Sequence, residues 1–261
     1  MRYKLLGNSG LRVSELCLGT MTFGEDWGWG SDKEESWAVF QAFAEVGGNF
    51  LDTANIYTNG TSETLVGEFV KGDREKWVIA TKYSLNTRPG DVNACGNHRK
   101  NLFQAVEASL KRLGTDYIDL LWLHIWDSLT PIEEVMRAFD DLVRMGKVLY
   151  IGISDSPAWI VSQANTLATL RVCTPFIGLQ IEYSLKERTP ERELLPMAKA
   201  LNIGVTAWSP LGGGVLTGKY NQPHPVDGRL SKTDQPFKNF YSDMKNSEKL
   251  QEISREKGKT T

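Results

Sequence analysis

Three ionisable residues stand at places where packing gives them little reason to be. Asp52 follows Phe50-Leu51, Lys82 follows Ile79-Ala80-Thr81, and His124 follows Leu121-Trp122-Leu123. A charge carried into an apolar setting is costly unless it is paired. Tyr57 comes shortly after Asp52. An Asp52–Lys82 pair beside Tyr57 would set an ammonium near a phenol and lower the phenol's pKa. Such a tyrosine is a candidate general acid, with His124 orienting a carbonyl oxygen. Taken singly, the residues have plainer readings: a loop tyrosine that only packs, a satisfied core histidine, a lysine that snorkels, or an ion pair without chemistry. Their joint occurrence at the ends of three apolar runs favours the functional reading.

Side chains at strand ends meet only if the strands are brought together. Short apolar runs at 15–19, 49–53, 77–81, 118–123, 148–153, 178–181 and 203–207 suit parallel strands covered on both faces. Stretches of helical period lie between or beside them at 33–46, 62–71, 98–113, 131–145, 157–169 and 191–201. Pro131 and Pro157 are placed as first-turn prolines, with Thr130 and Ser156 as candidate N-caps, and Gly146 as a helix stop. Strand–helix alternation predicts a parallel α/β sheet. The first strand ends Leu18-Gly19-Thr20-Met21 with no GxGxxG after it. A (β/α)₈ TIM barrel therefore fits better than a doubly wound sheet, and in a barrel the C-terminal strand ends converge on one site. Residues 3–13 read as a β-hairpin turning at Asn8-Ser9-Gly10 and plugging the barrel bottom. Residues 211–240 lack periodicity and read as a functional loop. A final helix is expected from about 242 to 257.

Composition narrows the classes. The chain has 261 residues, 30 Lys plus Arg against 32 Asp plus Glu, and a formal net charge of −2. This excludes a basic nucleic-acid binder. Cys17, Cys95 and Cys173 are scattered and form no CxxC, as do proteins of a reducing cytosol. The N-terminus has no signal-peptide core, and the longest uncharged apolar run, 120–126, is far short of a membrane span. A cytoplasmic protein without a membrane partner is expected. His98, His124 and His224 are too dispersed to form a metal site.

Several motifs then coincide. They are Gly47-Gly48-Asn49-Phe50-Leu51-Asp52-Thr53-Ala54 with Tyr57, Ser62-Glu63-Thr64-Leu65-Val66-Gly67, and Ile79-Ala80-Thr81-Lys82. Ser109-Leu110-Lys111-Arg112-Leu113-Gly114-Thr115-Asp116-Tyr117 follows, then Gly146-Lys147-Val148 through Ser154, and Trp208-Ser209-Pro210-Leu211 continuing to Lys219-Tyr220. Together they resemble the aldo-keto reductases, in the bacterial and channel-β-subunit-like branch. The resemblance covers essentially the whole chain as a single domain. It implies a barrel that binds NADPH/NADP+ and reduces a small-molecule aldehyde or ketone. It casts Tyr57 as proton donor, Lys82 and Asp52 as its tuning pair, and His124 as the residue that positions the carbonyl. Gln180 and Ser154 would bind the nicotinamide carboxamide, and Trp208 would stack on its ring. Ser209, Pro210, Leu211, Gly213, Leu216 and Lys219 would wrap the pyrophosphate, with Gly19, Thr20 and Met21 lining the cleft and Arg229 near the adenosine end. Asp155 stands where relatives carry Asn or Arg, and an ionised carboxylate there would repel the phosphates. The alternative within the same family is a non-enzymatic, cofactor-sensing or partner-binding barrel.

Two further expectations follow. Trp27, Trp29 and Trp126 in loops at the mouth suggest an apolar substrate wall. Seven strands are counted where a barrel needs eight. The chain is therefore expected to be shortened at its C-terminus, lacking strand eight and the last helix, with about 60 residues missing.

Overall fold

In the computed structural model, strand β1 (Tyr3–Leu5) pairs antiparallel with β2 (Arg12–Ser14). The turn between them depends on Gly7, whose φ is +55° and whose pro-Cβ position faces the backbone of Ile177, Asn202 and Gly204. Leu6 and Val13 carry this hairpin into a core made with Phe50, Val78, Ala80, Leu120, Trp122 and Ile177. The structure describes residues 1–221, 230 and 245–258. The chain divides into two compact units, Met1–Gln180 with Leu194–Thr206, and Ile181–Glu193 with Ala207–Thr261.

The larger sheet runs in chain order: β3 (Leu18–Gly19), β4 (Phe50–Asp52), β5 (Val78–Tyr83), β6 (Ile118–Leu123), β7 (Val148–Ser154), β8 (Phe176–Glu182) and β9 (Gly204–Trp208). Pairing from β3 through β8 is parallel. Between the strands lie α1 (Lys33–Glu45), α2 (Thr61–Val70), α3 (Arg99–Leu113), α4 (Ile132–Arg144), α5 (Ala158–Arg171) and α6 (Leu194–Ala200). This sequential parallel alternation is a TIM-barrel-like α/β fold, with seven strands in the sheet among the described residues. No described helix is long and apolar enough to cross a membrane.

The helices start and stop for local reasons. Asp32 caps α1 by accepting from the Glu35 N–H, and His98 Nδ1 caps α3 by accepting from the Asn101 N–H. Gly114 and Gly146, both at positive φ, end α3 and the α4 segment. The expected hydroxyl caps are not formed. Pro131 and Pro157 themselves hold the N-cap positions, in extended conformation with ψ of 134° and 144°. Thr130 Oγ1 instead donates to Asp127 (2.7 Å), and Ser156 Oγ to the Ser154 carbonyl (2.8 Å). The single helix expected over 191–201 is a 3₁₀ turn, Thr189–Glu191, and the shorter α6.

Charges on the helix-facing side of the sheet are paired. Glu63 on α2 is fully buried, accepting from Thr81 Oγ1 (2.5 Å) on β5 and from Arg112 Nε (2.6 Å) on α3. Arg74 reaches Asp119 on β6 (2.6 Å), which also accepts the Ile79 N–H (3.0 Å). These bonds tie β5, β6 and two helices at fixed heights, which sets the level at which the strand ends emerge.

The second unit, taken by itself, is built on backbone turns. The loop expected from 211 opens with two 3₁₀ segments, Gly212–Thr217 and Lys219–Asn221. Helix α7 (Lys245–Lys257) holds them: Ser247 Oγ donates to the Val215 carbonyl (2.7 Å) and Gln251 Nε2 to that of Gly218 (3.1 Å).

Gly67 on α2 lies against the backbone of Leu113, whose Cα would be 2.8 Å from an added Cβ. Ala normally favours a helix over Gly by about 1 kcal/mol. Here Gly67→Ala is expected to destabilise the chain by about 1–3 kcal/mol, read from the urea midpoint. A gain in stability would show that α2 and α3 are not in backbone contact.

Candidate active site

Asp52 closes β4, Lys82 is the penultimate residue of β5, and His124 follows the last residue of β6. The register of adjacent parallel strands brings these ends to one place. Lys82, with a fully buried side chain, forms an ion pair with Asp52 Oδ2 and donates to the Thr53 carbonyl (2.8 Å). The other carboxylate oxygen, Oδ1, accepts from Trp122 Nε1 and Gln180 Nε2, each at 3.0 Å. The Asp52 charge is thus met by three donors from three strands.

Tyr57 opens a 3₁₀ turn, Tyr57–Gly60, directly after β4. Thr58 and Asn59 in that turn have φ of 45° and 55°, an uncommon conformation for a β-branched residue. Thr58 is held there because its hydroxyl donates to the Phe23 carbonyl (2.7 Å) and accepts from the Ser62 N–H (3.0 Å). Ser62 in turn bonds the hydroxyls of Thr20 (2.8 Å) and Thr53 (2.9 Å). This buried hydroxyl cluster fixes the loop that presents Tyr57. Lys82 Nζ sits 4.7 Å from the Tyr57 ring centroid, and the His124 ring meets Tyr57 edge-on at 5.9 Å.

The electrostatics differ from expectation in one respect. Burial pushes the Tyr57 phenol up, and Lys82 offsets this only in part, with Asp52 and Asp155 adding to the rise. The lowered phenol pKa expected from the sequence is not found: loss of hydration outweighs one neighbouring cation. Burial alone would lower Lys82, but Asp52 and Tyr57 more than offset it, and its pKa is raised. His124 is lowered to about 3, by burial first and by Lys82 second. At neutral pH the site therefore holds a protonated phenol, an ammonium and an uncharged imidazole.

The remaining predicted residues sort by unit. In the first, the Thr20 N–H and hydroxyl both reach the Asp52 carbonyl (2.9 and 3.1 Å), Gly19 pairs in register with Asp52, and Met21 continues the same loop. Ser154 closes β7 in register with Gln180 of β8. Asp155 is exposed, at φ +38°. Trp27 packs at a tilt against Trp29 (5.4 Å) and edge-on to Tyr57 (6.4 Å), while Trp126 is half-buried. In the second, Trp208 ends β9 and Ser209 follows at φ +49°. Pro210 and Leu211 are exposed, Leu216 is buried, and Gly213 has φ +64°. Lys219 Nζ lies 5.1 Å from the Tyr220 ring. Arg229 lies outside the described residues.

Ser154 Oγ and Asn55 Oδ1 are buried without a hydrogen-bond partner among the described residues. A buried polar atom left unpaired is costly, so both have unmet capacity toward a polar ligand. A carboxamide carries donors and an acceptor to match them. The residues thus fit the nicotinamide cofactor that the resemblance implies. Three residues of this site escaped the sequence reading: Trp122, Asn55 and Ser62. The signal for Trp122 was a tryptophan two residues before His124, opposite the glycines of two later runs, Gly152 and Gly178.

The model of the aldo/keto reductase family matches residues 15–261. Norsolorinic acid reductase of Aspergillus flavus is 44% identical over 220 residues, 80% of this chain and 57% of that protein. A putative aryl-alcohol dehydrogenase of Saccharomyces cerevisiae is 42% identical over 222 residues, 81% and 59%. The NADP(+) aryl-alcohol dehydrogenase of Phanerodontia chrysosporium is 40% identical over 227 residues, 82% and 59%. The chain spans less than two thirds of the length of these relatives. All three are fungal, and they lend no support to the bacterial or channel-β-subunit branch.

The depressed His124 pKa predicts a pH window for stability. Unfolded histidine titrates near 6.5 and the folded ring near 3. Between these values the unfolded state binds the extra proton, so stability should fall as pH drops from about 6.5 toward 3. A proton NMR titration should show no His124 shift from pH 8 to 5. A midpoint near 6.5 would contradict the neutral imidazole.

Proposed function

The chain belongs to the aldo/keto reductase family, and from that premise we propose that it reduces an aldehyde or ketone to an alcohol, with NADPH as reductant and Tyr57 as proton donor. The observation that carries the reading is the Asp52–Lys82 ion pair beside Tyr57, with an uncharged His124 against the same phenol. The single family match across both units supports reading them as parts of one barrel domain.

When bound, the nicotinamide supplies the hydride. The work of the chain is to hold the carbonyl and deliver a proton. Tyr57 stays protonated at neutral pH, so it has a proton to give to the carbonyl oxygen. As that proton leaves, the Lys82 ammonium is already in place to stabilise the developing phenolate, and fixed charges need little reorganisation. Asp52 keeps Lys82 charged and fixed. His124, being neutral, orients the carbonyl oxygen without adding a competing charge. Ser154 and Gln180 are assigned to the carboxamide, and Gly19, Thr20 and Met21 to the cleft wall. In the second unit, Trp208, Ser209, Pro210, Leu211, Gly213, Leu216 and Lys219 keep the cofactor roles that the resemblance implies.

The substrate class follows from the aromatic side of the site. Trp27 packs at a tilt on Trp29 and edge-on to Tyr57, which sets an apolar aromatic wall beside the proton donor. Aromatic rings gain about 0.5–1.5 kcal/mol from such neighbours beyond area burial. The name of one relative, an aryl-alcohol dehydrogenase, agrees with an aryl carbonyl substrate.

Mixing the chain with NADPH and an aromatic aldehyde should oxidise NADPH, followed at 340 nm. No turnover by folded protein that binds NADPH would overturn the reductase and leave a cofactor-sensing barrel. Tyr57→Phe should cut kcat by about 10²–10⁴-fold with cofactor affinity retained. Trp27→Ala should raise KM for an aryl aldehyde by about three- to tenfold, and for a short aliphatic aldehyde much less. Equal changes for both substrates would remove Trp27 from recognition.

A further inference from the structure

Trp122 has no place in the chemistry described so far, yet it is the largest fully buried side chain of the molecule's described part. Its register explains why it fits. Along the sheet Lys82 of β5 pairs with Trp122 of β6, Trp122 with Gly152 of β7, and Gly152 with Gly178 of β8. Residues in register on adjacent parallel strands point to the same face. Two consecutive glycines in that row leave a space that the indole fills. A Cβ on Gly178 would come within 2.7 Å of Trp122 Cη2, and one on Gly152 would overlap Cε3 and Cζ3. Neither glycine has the positive φ that would call for glycine on backbone grounds. The space they leave is for the ring.

Filling space alone would be served by any apolar side chain. Tryptophan also brings an N–H, and that N–H is used: Nε1 donates to Asp52 Oδ1 at 3.0 Å, across the interior from β6 to β4. A hydrogen bond to a carboxylate is stronger than one between neutral groups. With Lys82 on Oδ2 and Gln180 sharing Oδ1, rotation of the carboxylate away from Lys82 would break several bonds together.

We propose that Trp122 is a positioning residue for the reductive site: seated in the slot opened by Gly152 and Gly178, its indole N–H holds the Asp52 carboxylate on Lys82, and through Lys82 sets the proton donor Tyr57. The inference rests on the reductase reading for its kinetic consequence but not for its geometry. The Trp122 N–H is spent on Asp52 rather than on Tyr57. It acts on the orientation of Asp52, so its loss changes proton delivery more than substrate binding.

The test compares the full chain with Trp122→Phe, which keeps an aromatic ring and deletes the N–H, and with Phe139→Leu, a buried core change on α4 whose ring neighbours are Tyr83 and Phe176 and which lies outside the Asp52 hydrogen bonds. With NADPH and an aromatic aldehyde, Trp122→Phe should lower kcat by about tenfold, with KM for the aldehyde changed less than about twofold. The basic limb of the kcat–pH profile should move down by about half a pH unit or more, because Lys82 loses part of the field of its carboxylate. Phe139→Leu should lower the melting temperature without moving that limb. A Trp122→Phe profile that matches the unmodified chain, or a limb that moves equally in Phe139→Leu, overturns the proposal. A second readout needs no turnover and no Trp122 variant that folds. In ¹⁵N-indole NMR, assigned by replacing the other tryptophans singly, the Trp122 N–H should exchange slowly with solvent and shift in Asp52→Asn. Rapid exchange with no response to Asp52→Asn overturns the positioning role. A chain that shows this NMR behaviour and yet never oxidises NADPH keeps the positioning role and refutes the reductase reading.

Discussion

A carboxylate and an ammonium buried together at adjacent strand ends set the terms for this fold. Burying either charge alone would cost several kcal/mol, and their mutual attraction offsets that cost only where the remaining lone pairs and protons are satisfied. Asp52 and Lys82 meet this condition with help from the Thr53 carbonyl, the Trp122 indole and the Gln180 amide. The partners come from β4, β6 and β8, so the pair holds only if those strands keep their register.

Much of the rest of the first unit maintains that register. On the helix-facing side, Glu63 with Thr81 and Arg112, and Asp119 with Arg74 and the Ile79 N–H, lock β5 and β6 against α2, α3 and the Arg74 turn. At the other end, the hairpin inserts Leu6 and Val13 among the inward side chains of β4, β5, β6 and β8. The buried hydroxyls of Thr20, Thr53, Thr58 and Ser62 form a cluster that dictates the path of the Tyr57 turn. The left-handed conformation of Thr58 is a local cost of about 1–3 kcal/mol, borne because these bonds leave the chain no other route.

The sequence made the strands and the ionisable residues legible because both carry strong local signals. The run at 118–123 matches β6 to the residue, and 148–153 differs from β7 by one. Lys33 starts α1 where the helical period begins. What was not legible depended on contacts between distant segments or on the local geometry of loops. The Tyr57 pKa was misjudged because the pairing with Lys82 was visible in the sequence whereas the extent of desolvation was not. Thr130 and Ser156 were misassigned as caps because their competing acceptors, Asp127 and the Ser154 carbonyl, are set by loop geometry. Trp122 passed as a strand hydrophobe because its meaning lies in two glycines on other strands. The segment from 211 reads as a functional loop without periodicity, and its opening turns, Gly212–Thr217 and Lys219–Asn221, become visible only through the bonds that α7 makes to the Val215 and Gly218 carbonyls.

These relations place the chemistry of the site on one charge. If the Asp52 carboxylate keeps Lys82 an ammonium, and Lys82 stabilises the phenolate left when Tyr57 gives up its proton, then the isosteric Asp52→Asn change should disable proton delivery while leaving the shape of the site intact. The pH dependence of kcat for NADPH-driven aldehyde reduction, measured for Asp52→Asn beside the unmodified chain, tests this most directly. The account predicts a kcat about two orders of magnitude lower and a basic limb displaced to lower pH, with NADPH still bound. An Asp52→Asn enzyme with unchanged kcat and an unshifted profile would contradict it.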